Sequence, residues 1–356
     1  QEFAVLKCEA TANSVTGHVC VYSNKAGLLV QAYVPSNSRV TGCVRSALPW
    51  LTRVENRWYN KNTGNCGEEA LIDRIQGVFM IRRYTVALMQ MDTQDDKGKN
   101  LETACAWIDE AAAKGAKLIC FPEVMNLIGK NIGEGGGREE IPGYTTERLC
   151  AKAKEHGVYI HGGSITQALP GEKRSANTSV LISPEGKILA TYSKLHMFDI
   201  TLADGTPYRE SDRVKPGDSI VTVETELGVF GMSICYDVRF PEIYRLMALR
   251  GAQVIFVPAS FTMPTGKDHW EVLLRARAIE NGCYIVAPGQ IGQKPAYAAY
   301  GNSLVADPWG TVIARSKDAP GITYAEIDLD YLEKIRKQIP SLENRRSDLY
   351  EVSEKK

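Results

Sequence analysis

The sequence lacks several features that mark specialised classes of protein. It has no run of about 18 consecutive apolar residues, so it predicts no transmembrane helix. Its 42 Lys and Arg residues equal its 42 Asp and Glu residues, which excludes a strongly basic nucleic-acid binder. Of its 356 residues, 44% are hydrophobic and 24% are charged, unlike a disordered chain. We therefore expect a globular protein whose partners include neither nucleic acid nor a membrane.

Cysteine pairs at metal-binding spacing are also absent. The chain has nine cysteines and no C-x-x-C pair, which argues against both a disulfide framework and a zinc ribbon. The first residues lack the basic region and uninterrupted apolar run of a signal peptide. We expect a protein of the reducing cytoplasm, with most cysteines acting as small buried apolar side chains.

The chain is expected to consist of an appended segment, residues 1–79, and a larger domain, residues 80–356. The first part is rich in Asn, Ser, Thr and Gly, with short β-type runs at Val19–Tyr22 and Leu28–Val34. Only Glu68–Gln76 has a helical pattern there. Nothing in this composition indicates a role for the segment.

From Met80 onwards, apolar strands and amphipathic helices alternate, and hairpins follow later in the chain. This pattern predicts an α/β layered sandwich of mixed sheets. Helical spacing of apolar residues, with glycine closing several segments, predicts five helices: Lys99–Lys114, Glu147–His156, Glu242–Arg250, Trp270–Asn281 and Asp330–Gln338.

Three polar residues directly follow apolar strands, where α/β folds keep their sites. They are Glu123 after LICFP, Lys194 after ILATYS and Cys235 after GVFGMSI. Each alone has an ordinary explanation: an exposed glutamate, a strand-end lysine with a solvated ammonium, and a structural cysteine. Together they supply a base, a cation and a nucleophile.

The chemistry of these three groups fits thiol catalysis. A thiol needs activation, because the thiolate is the nucleophile. A nearby carboxylate removes the proton, and a nearby ammonium stabilises the thiolate and a later oxyanion. The turn after Cys235 also places the backbone N–H of Tyr236 where it would face that oxyanion.

Other catalytic designs fit the sequence less well. A Cys–His protease would use His196 or His269, but His269 lies in a segment with Gly and Pro that we expect to precede a helix as a loop. A zinc hydrolase needs histidine and carboxylate spacings that are absent. Gly133–Gly137 lacks the lysine of a phosphate-binding loop, so we expect a flexible surface loop.

Three motifs resemble those of the carbon–nitrogen hydrolase (nitrilase) superfamily: FPE at 121–123, YSKLHMFD at 192–199 and ICYDVRFPE at 234–242. The resemblance covers about residues 83–350. It implies an αββα four-layer sandwich, in which helices flank two mixed sheets, and a homodimer or larger homo-oligomer. It also implies catalysis without a metal or organic cofactor.

The resemblance further implies roles for single residues. Glu123 would be the general base, Lys194 the oxyanion stabiliser and Cys235 the nucleophile. Glu210, in the matching place after the lysine motif, would orient the lysine and substrate. Candidates for substrate binding are Tyr236, Arg239 and Phe198. The guanidinium of Arg239 can bind a carboxylate through two hydrogen bonds, although a structural ion pair is the alternative for Arg239, and core packing is the alternative for Phe198.

The branch resembled most closely holds ω-amidases and deaminated-glutathione amidases, through SKLHMFDI, TGKDHWEVLLRARA and the RRSDLY tail. That branch hydrolyses the carboxamide of small acids, such as 2-oxoglutaramate, 2-oxosuccinamate or deaminated glutathione, through a cysteinyl thioester. A nitrilase or an N-carbamoyl amino acid hydrolase with the same triad is an alternative. A non-catalytic assembly protein, in which residues 1–79 recruit a partner, is another.

Overall fold

The computed structural model describes residues 81–129, 137–201, 205 and 207–355, and the backbone of four strands near the start of the chain. The chain forms two compact units, Gln1–Phe79 and Met80–Lys356. The helix expected at Glu68–Gln76 lies outside the described residues, as does most of the glycine-rich loop. The first unit has one antiparallel sheet, formed in order by β1 (Leu6–Ala12), β2 (Val15–Asn24), β3 (Gly27–Tyr33) and β4 (Arg39–Thr41).

The second unit contains a sheet of seven strands. In pairing order they are β10 (Ile188–Ser193), β9 (Ala176–Ile182), β7 (Tyr159–His161), β6 (Ala116–Cys120), β5 (Arg83–Gln90) and β21 (Gly321–Asp328), with β8 (Ile165–Gln167) also paired to β9. β5, β6 and β7 are parallel, whereas β9 is antiparallel to both β7 and β10. The end of β6, the start of β9 and the end of β10 therefore share one edge.

A sheet of six strands lies in the same unit. Its strands, in pairing order, are β13 (Thr222–Thr225), β14 (Gly228–Met232), β15 (Val254–Phe256), β16 (Tyr284–Ala287), β19 (Leu304–Ala306) and β20 (Val312–Arg315). β14, β15 and β16 are parallel, so the residues that follow them share an edge. The described residues also form two short hairpins: β11 (Asp199–Thr201) with β12 (Pro207–Arg209), and β17 (Ile291–Gln293) with β18 (Ala298–Tyr300).

Helices are found in all five of the regions predicted within residues 80–356. They are α1 (Lys97–Ala113), α2 (Tyr144–His156), α3 (Pro241–Leu249), α4 (Met263–Asn281) and α5 (Leu329–Gln338). α1 begins after Asp96, whose carboxylate caps the helix by accepting the N–H of Lys99 at 3.0 Å. Within the described parts of the chain, no helix combines the length and apolar character needed to span a bilayer.

The directions of the strand side chains show how the two sheets and the helices are layered. In β5, Val86 and Leu88 join a core with residues of the six-stranded sheet such as Phe230, while Ala87 and Met89 pack with apolar residues of α1 and α2. In β14, Gly231 faces α3, where a Cβ would lie 2.8 Å from the sulfur of Met247. The predicted αββα sandwich is confirmed.

Two predictions about local structure are wrong. α4 begins seven residues earlier than Trp270, because Pro264 lies in its first turn, where a missing N–H costs no hydrogen bond. His269 is therefore a helix residue. The apolar run Val158–Ser164 in the sequence also predicts one continuous strand, but β7 ends at His161 and β8 begins only at Ile165, with Gly163, whose φ is +60°, between them. A Cβ at Gly163 would lie 2.0 Å from the carbonyl oxygen of Pro122, so glycine is required there.

Candidate active site

Glu123 is held by three hydrogen-bond donors. It follows β6, and its side chain is buried. Oε1 accepts from Asn177 Nδ2 at 2.9 Å and from Lys194 Nζ at 3.1 Å, and Oε2 accepts the N–H of Ser260 at 2.8 Å. Both carboxylate oxygens are therefore fixed, and they connect the edges of the two sheets.

Lys194 lies between two carboxylates and is only 2% exposed. Its Nζ donates to Glu123 and to both oxygens of Glu210, at 3.1 and 3.0 Å. Burial lowers the pKa of Lys194, but the negative charges of Glu123 and Glu210 outweigh burial and raise that pKa well above its usual value. Lys194 is therefore a fixed positive charge throughout the neutral range.

Cys235 begins a short 3-10 helix, Cys235–Arg239, that follows the end of β14. Its N–H donates to the carbonyl of Pro258 at 2.9 Å, which ties this turn to the segment that follows the neighbouring strand β15. Its φ is +51°, in the left-handed region that non-glycine residues seldom adopt. Strain of this kind persists only where surrounding contacts hold it.

The Cys235 thiol is kept protonated by its surroundings. Burial raises its pKa well above the usual value, and the charge of Glu123 and a hydrogen bond to Glu123 raise it further. The charge of Lys194 and the N–H of Ser260 act in the opposite direction. A neutral thiol beside a carboxylate suits proton transfer during nucleophilic attack.

Replacing Glu123 with glutamine is expected to lower the pKa of the Cys235 thiol, because the nearby negative charge and its acceptor are removed while Lys194 remains. The measurement is the rate of Cys235 alkylation by iodoacetamide across the neutral and alkaline range, located by mass spectrometry. The midpoint of the curve of alkylation rate against pH should lie at lower pH in Glu123→Gln than in the unaltered protein. An equal or higher midpoint would contradict the charge coupling described here.

The predicted substrate-binding residues Phe198 and Arg239 both contact Tyr236, the residue after Cys235. The ring of Phe198 meets that of Tyr236 edge to face at 5.1 Å. The guanidinium of Arg239 lies over the rings of Tyr236 and Phe261, at 5.6 and 5.5 Å, and donates to Nδ1 of His269 at 3.2 Å. Within the described ranges, Arg239 forms no ion pair with a carboxylate, so its charge can serve an anionic ligand.

Residues 85–337 match the profile of the carbon–nitrogen hydrolase family. The chain belongs to this family. It is 40% identical over 275 residues to the omega-amidase NIT2 of Xenopus tropicalis, covering 77% of this chain and 99% of that one. It is 41% identical over 269 residues to the deaminated glutathione amidase of a Synechocystis strain, covering 74% and 99%.

A solved structure supports the same assignment of family and fold. The NitFhit protein of C. elegans is 36% identical, with a TM-score of 0.72 and coverage of 77% of this chain and 67% of that one. The predictions of family and fold are thus confirmed. The matched profile begins at residue 85, beyond the segment 1–79.

Sequence reasoning missed several residues of this carbon–nitrogen hydrolase site. Asn177 and Ser260 bind the carboxylate of Glu123, and the side chain of Gln290 donates to its carbonyl at 2.9 Å. The hydroxyl of Tyr297 lies 2.6 Å from that of Ser260, and burial raises the pKa of Tyr297. Ser260 and Gln290 follow β15 and β16, and this position of a polar residue after a strand could have identified both in the sequence.

The histidines have other partners in this hydrolase. Nδ1 of His196 lies 2.8 Å from Oδ1 of Asp237, and Nδ1 of His269 faces Arg239. In the portion of the chain that is described, neither imidazole contacts the thiol of Cys235. The Cys–His alternative therefore lacks its essential pair.

Proposed function

We propose that the protein is an amidase that hydrolyses the carboxamide of a small acid to a carboxylate and ammonia through a cysteinyl thioester. The single observation that carries the proposal is the buried meeting of Glu123, Lys194 and Cys235 at the edges of the two sheets. The relatives named as an omega-amidase and a deaminated glutathione amidase support an amide as substrate.

The first half-reaction acylates the enzyme. Glu123 takes the thiol proton of Cys235 while the sulfur attacks the carboxamide carbon. The ammonium of Lys194 and the N–H of Tyr236 stabilise the oxyanion, and donors of this type each contribute about 2.7–4 kcal/mol. The proton then passes from Glu123 to the amide nitrogen, the C–N bond breaks, and ammonia leaves a thioester on Cys235.

The second half-reaction releases the acid. A water molecule attacks the thioester carbon while Glu123 takes its proton, and Lys194 again stabilises the oxyanion. The C–S bond breaks, the carboxylic acid leaves, and the thiolate of Cys235 regains the proton from Glu123. Glu210 assists both steps by orienting the ammonium of Lys194, to which it is bound through both oxygens.

Arg239 is proposed to bind the carboxylate at the other end of the substrate. The guanidinium lies over the faces of two aromatic rings, and the N–H groups that are not donated to His269 are able to bind an anion. The rings of Phe198 and Tyr236 provide an apolar wall for the methylene groups between the carboxylate and the amide. This arrangement favours short ω-amides with a free acid group.

Replacing Arg239 with leucine should lower kcat/KM for succinamate by about 10- to 100-fold, because a charge-assisted hydrogen bond contributes about 1.5–3 kcal/mol. For the neutral analogue butyramide, kcat/KM should fall by less than about 3-fold, since butyramide has no carboxylate to bind. Equal losses for both amides would show that Arg239 does not recognise the acid group.

A matched substrate panel tests the proposed reaction. Ammonia release is measured with succinamate, with the corresponding nitrile 3-cyanopropionate, and with N-carbamoyl-β-alanine. We expect succinamate to be the best substrate. Faster turnover of the nitrile or the carbamoyl compound would overturn the amidase assignment, and turnover of none would favour the non-catalytic alternative.

We propose a homodimer or larger assembly in the cytoplasm, with residues 80–356 as the hydrolase domain and residues 1–79 appended to it. Exposed apolar side chains on and beside α4 support self-association: Val272 is 66% exposed and Ile279 is 52% exposed.

A further inference from the structure

A fully buried carboxylate braces the turn that carries Cys235. Asp237 follows Cys235 by two residues and has no exposed surface. Its Oδ2 accepts the N–H of Ile234, the residue before Cys235, at 2.9 Å. This hydrogen bond between Ile234 and Asp237 therefore spans Cys235, whose backbone is in the left-handed region.

The same carboxylate also holds the segment that carries Lys194. Tyr192, two residues before the lysine, donates its hydroxyl to Oδ2 of Asp237 at 2.7 Å. His196, two residues after the lysine, donates its backbone N–H to Oδ1 at 3.0 Å and its Nδ1–H at 2.8 Å. Asp237 thus joins the segments of two functional side chains that come from different sheets.

The imidazole of His196 is fixed on its face as well as at its edge. It stacks on the ring of Phe240 with centroids 3.6 Å apart and planes inclined by 7°. Its side chain is 27% exposed, unlike that of Asp237. His196 can therefore be replaced with less risk to folding than the buried carboxylate.

We propose that Asp237, acting with His196, is a positioning residue that sets the ammonium of Lys194 against the sulfur of Cys235. The inference rests on the proposed function for its kinetic consequence, although the geometry is independent of the substrate. A displacement of about 1 Å between reacting groups can cost about 100-fold in rate, and Asp237 prevents such a displacement without touching the substrate.

Two substitutions of His196 separate hydrogen bonding from packing. His196→Phe keeps an aromatic ring against Phe240 but removes the donor to Asp237. His196→Asn loses the stack but places an amide N–H near the position of Nδ1. Tyr244→Phe is the matched control, because it removes a buried hydroxyl that bonds to Ser233, two residues before Cys235, at 2.7 Å.

The proposal makes a specific kinetic prediction. In His196→Phe, kcat for succinamate should fall by about 30- to 100-fold with KM changed by less than about 3-fold. His196→Asn should recover kcat to within about 5-fold of the unaltered enzyme, and Tyr244→Phe should stay within about 3-fold. The proposal is overturned if His196→Phe keeps its kcat or if kcat falls equally in the two His196 variants. It is also overturned if kcat falls as much in Tyr244→Phe as in His196→Phe.

A second readout does not depend on turnover. The rate of Cys235 alkylation by iodoacetamide, measured by peptide mass spectrometry on the same full-length variants, should fall about 10-fold in His196→Phe and recover in His196→Asn. Unchanged alkylation in His196→Phe would overturn the positioning role. If the unaltered protein cleaved no amide, the proposed function would fail, while this alkylation series would still decide the role of Asp237.

Discussion

The substitution Cys235→Ala should lower ammonia release by about 10⁴- to 10⁶-fold, which is the range seen when an enzyme loses its nucleophile. The sulfur forms the bond to the substrate carbon, so its loss removes the thioester route entirely. The ion pairs of Lys194 with Glu123 and Glu210 do not involve the sulfur. The variant should therefore fold normally, and its thermal unfolding should show this.

The control for that substitution is Cys150→Ala. Cys150 is a partly exposed thiol in α2, and it is not a residue of the proposed site. Cys150→Ala should keep its full rate of ammonia release. Retained turnover in Cys235→Ala, or an equal loss in both variants, would refute Cys235 as the nucleophile.

The substitution Lys194→Met should damage both activity and stability. The buried carboxylate of Glu123 and the partly buried carboxylate of Glu210 would lose the cation between them. Removing one partner of a buried ion pair typically costs about 3–5 kcal/mol in the free energy of unfolding. We also expect kcat to fall by at least about 100-fold, because the oxyanion loses its charged donor. Urea unfolding and ammonia release measure the two effects.

A double variant separates the two effects of Lys194→Met. Adding Glu210→Gln removes one of the unpaired charges, so Lys194→Met/Glu210→Gln should regain part of the lost stability. It should regain no activity, because the ammonium is still absent. Activity that returned together with stability would show that Lys194 has only a structural role.

The sequence revealed the three central residues because each directly follows an apolar strand. Glu123, Lys194 and Cys235 could be found from local pattern alone, and the motifs around them identified the family. Glu210 was predicted only from the resemblance to the carbon–nitrogen hydrolase superfamily. It lies after the hairpin of β11 and β12, which the pattern did not predict.

The supporting residues depended on strand pairing that local pattern does not contain. Asn177 reaches Glu123 only because β9 runs antiparallel to β7, which puts the start of β9 beside the end of β6. Asp237 lies two residues after Cys235 in the sequence, but its partners Tyr192 and His196 come from a distant part of the sequence. Such contacts require the three-dimensional arrangement of both sheets.

The proposed mechanism requires that a carboxamide is cleaved through a thioester on Cys235. Rapid acid quenching during turnover of succinamate, followed by peptide mass spectrometry, tests it most directly. The thioester predicts a peptide containing Cys235 that has gained the mass of succinamate minus ammonia. A substrate-derived adduct on another side chain, or no adduct on Cys235 at any time while ammonia is released, would contradict it.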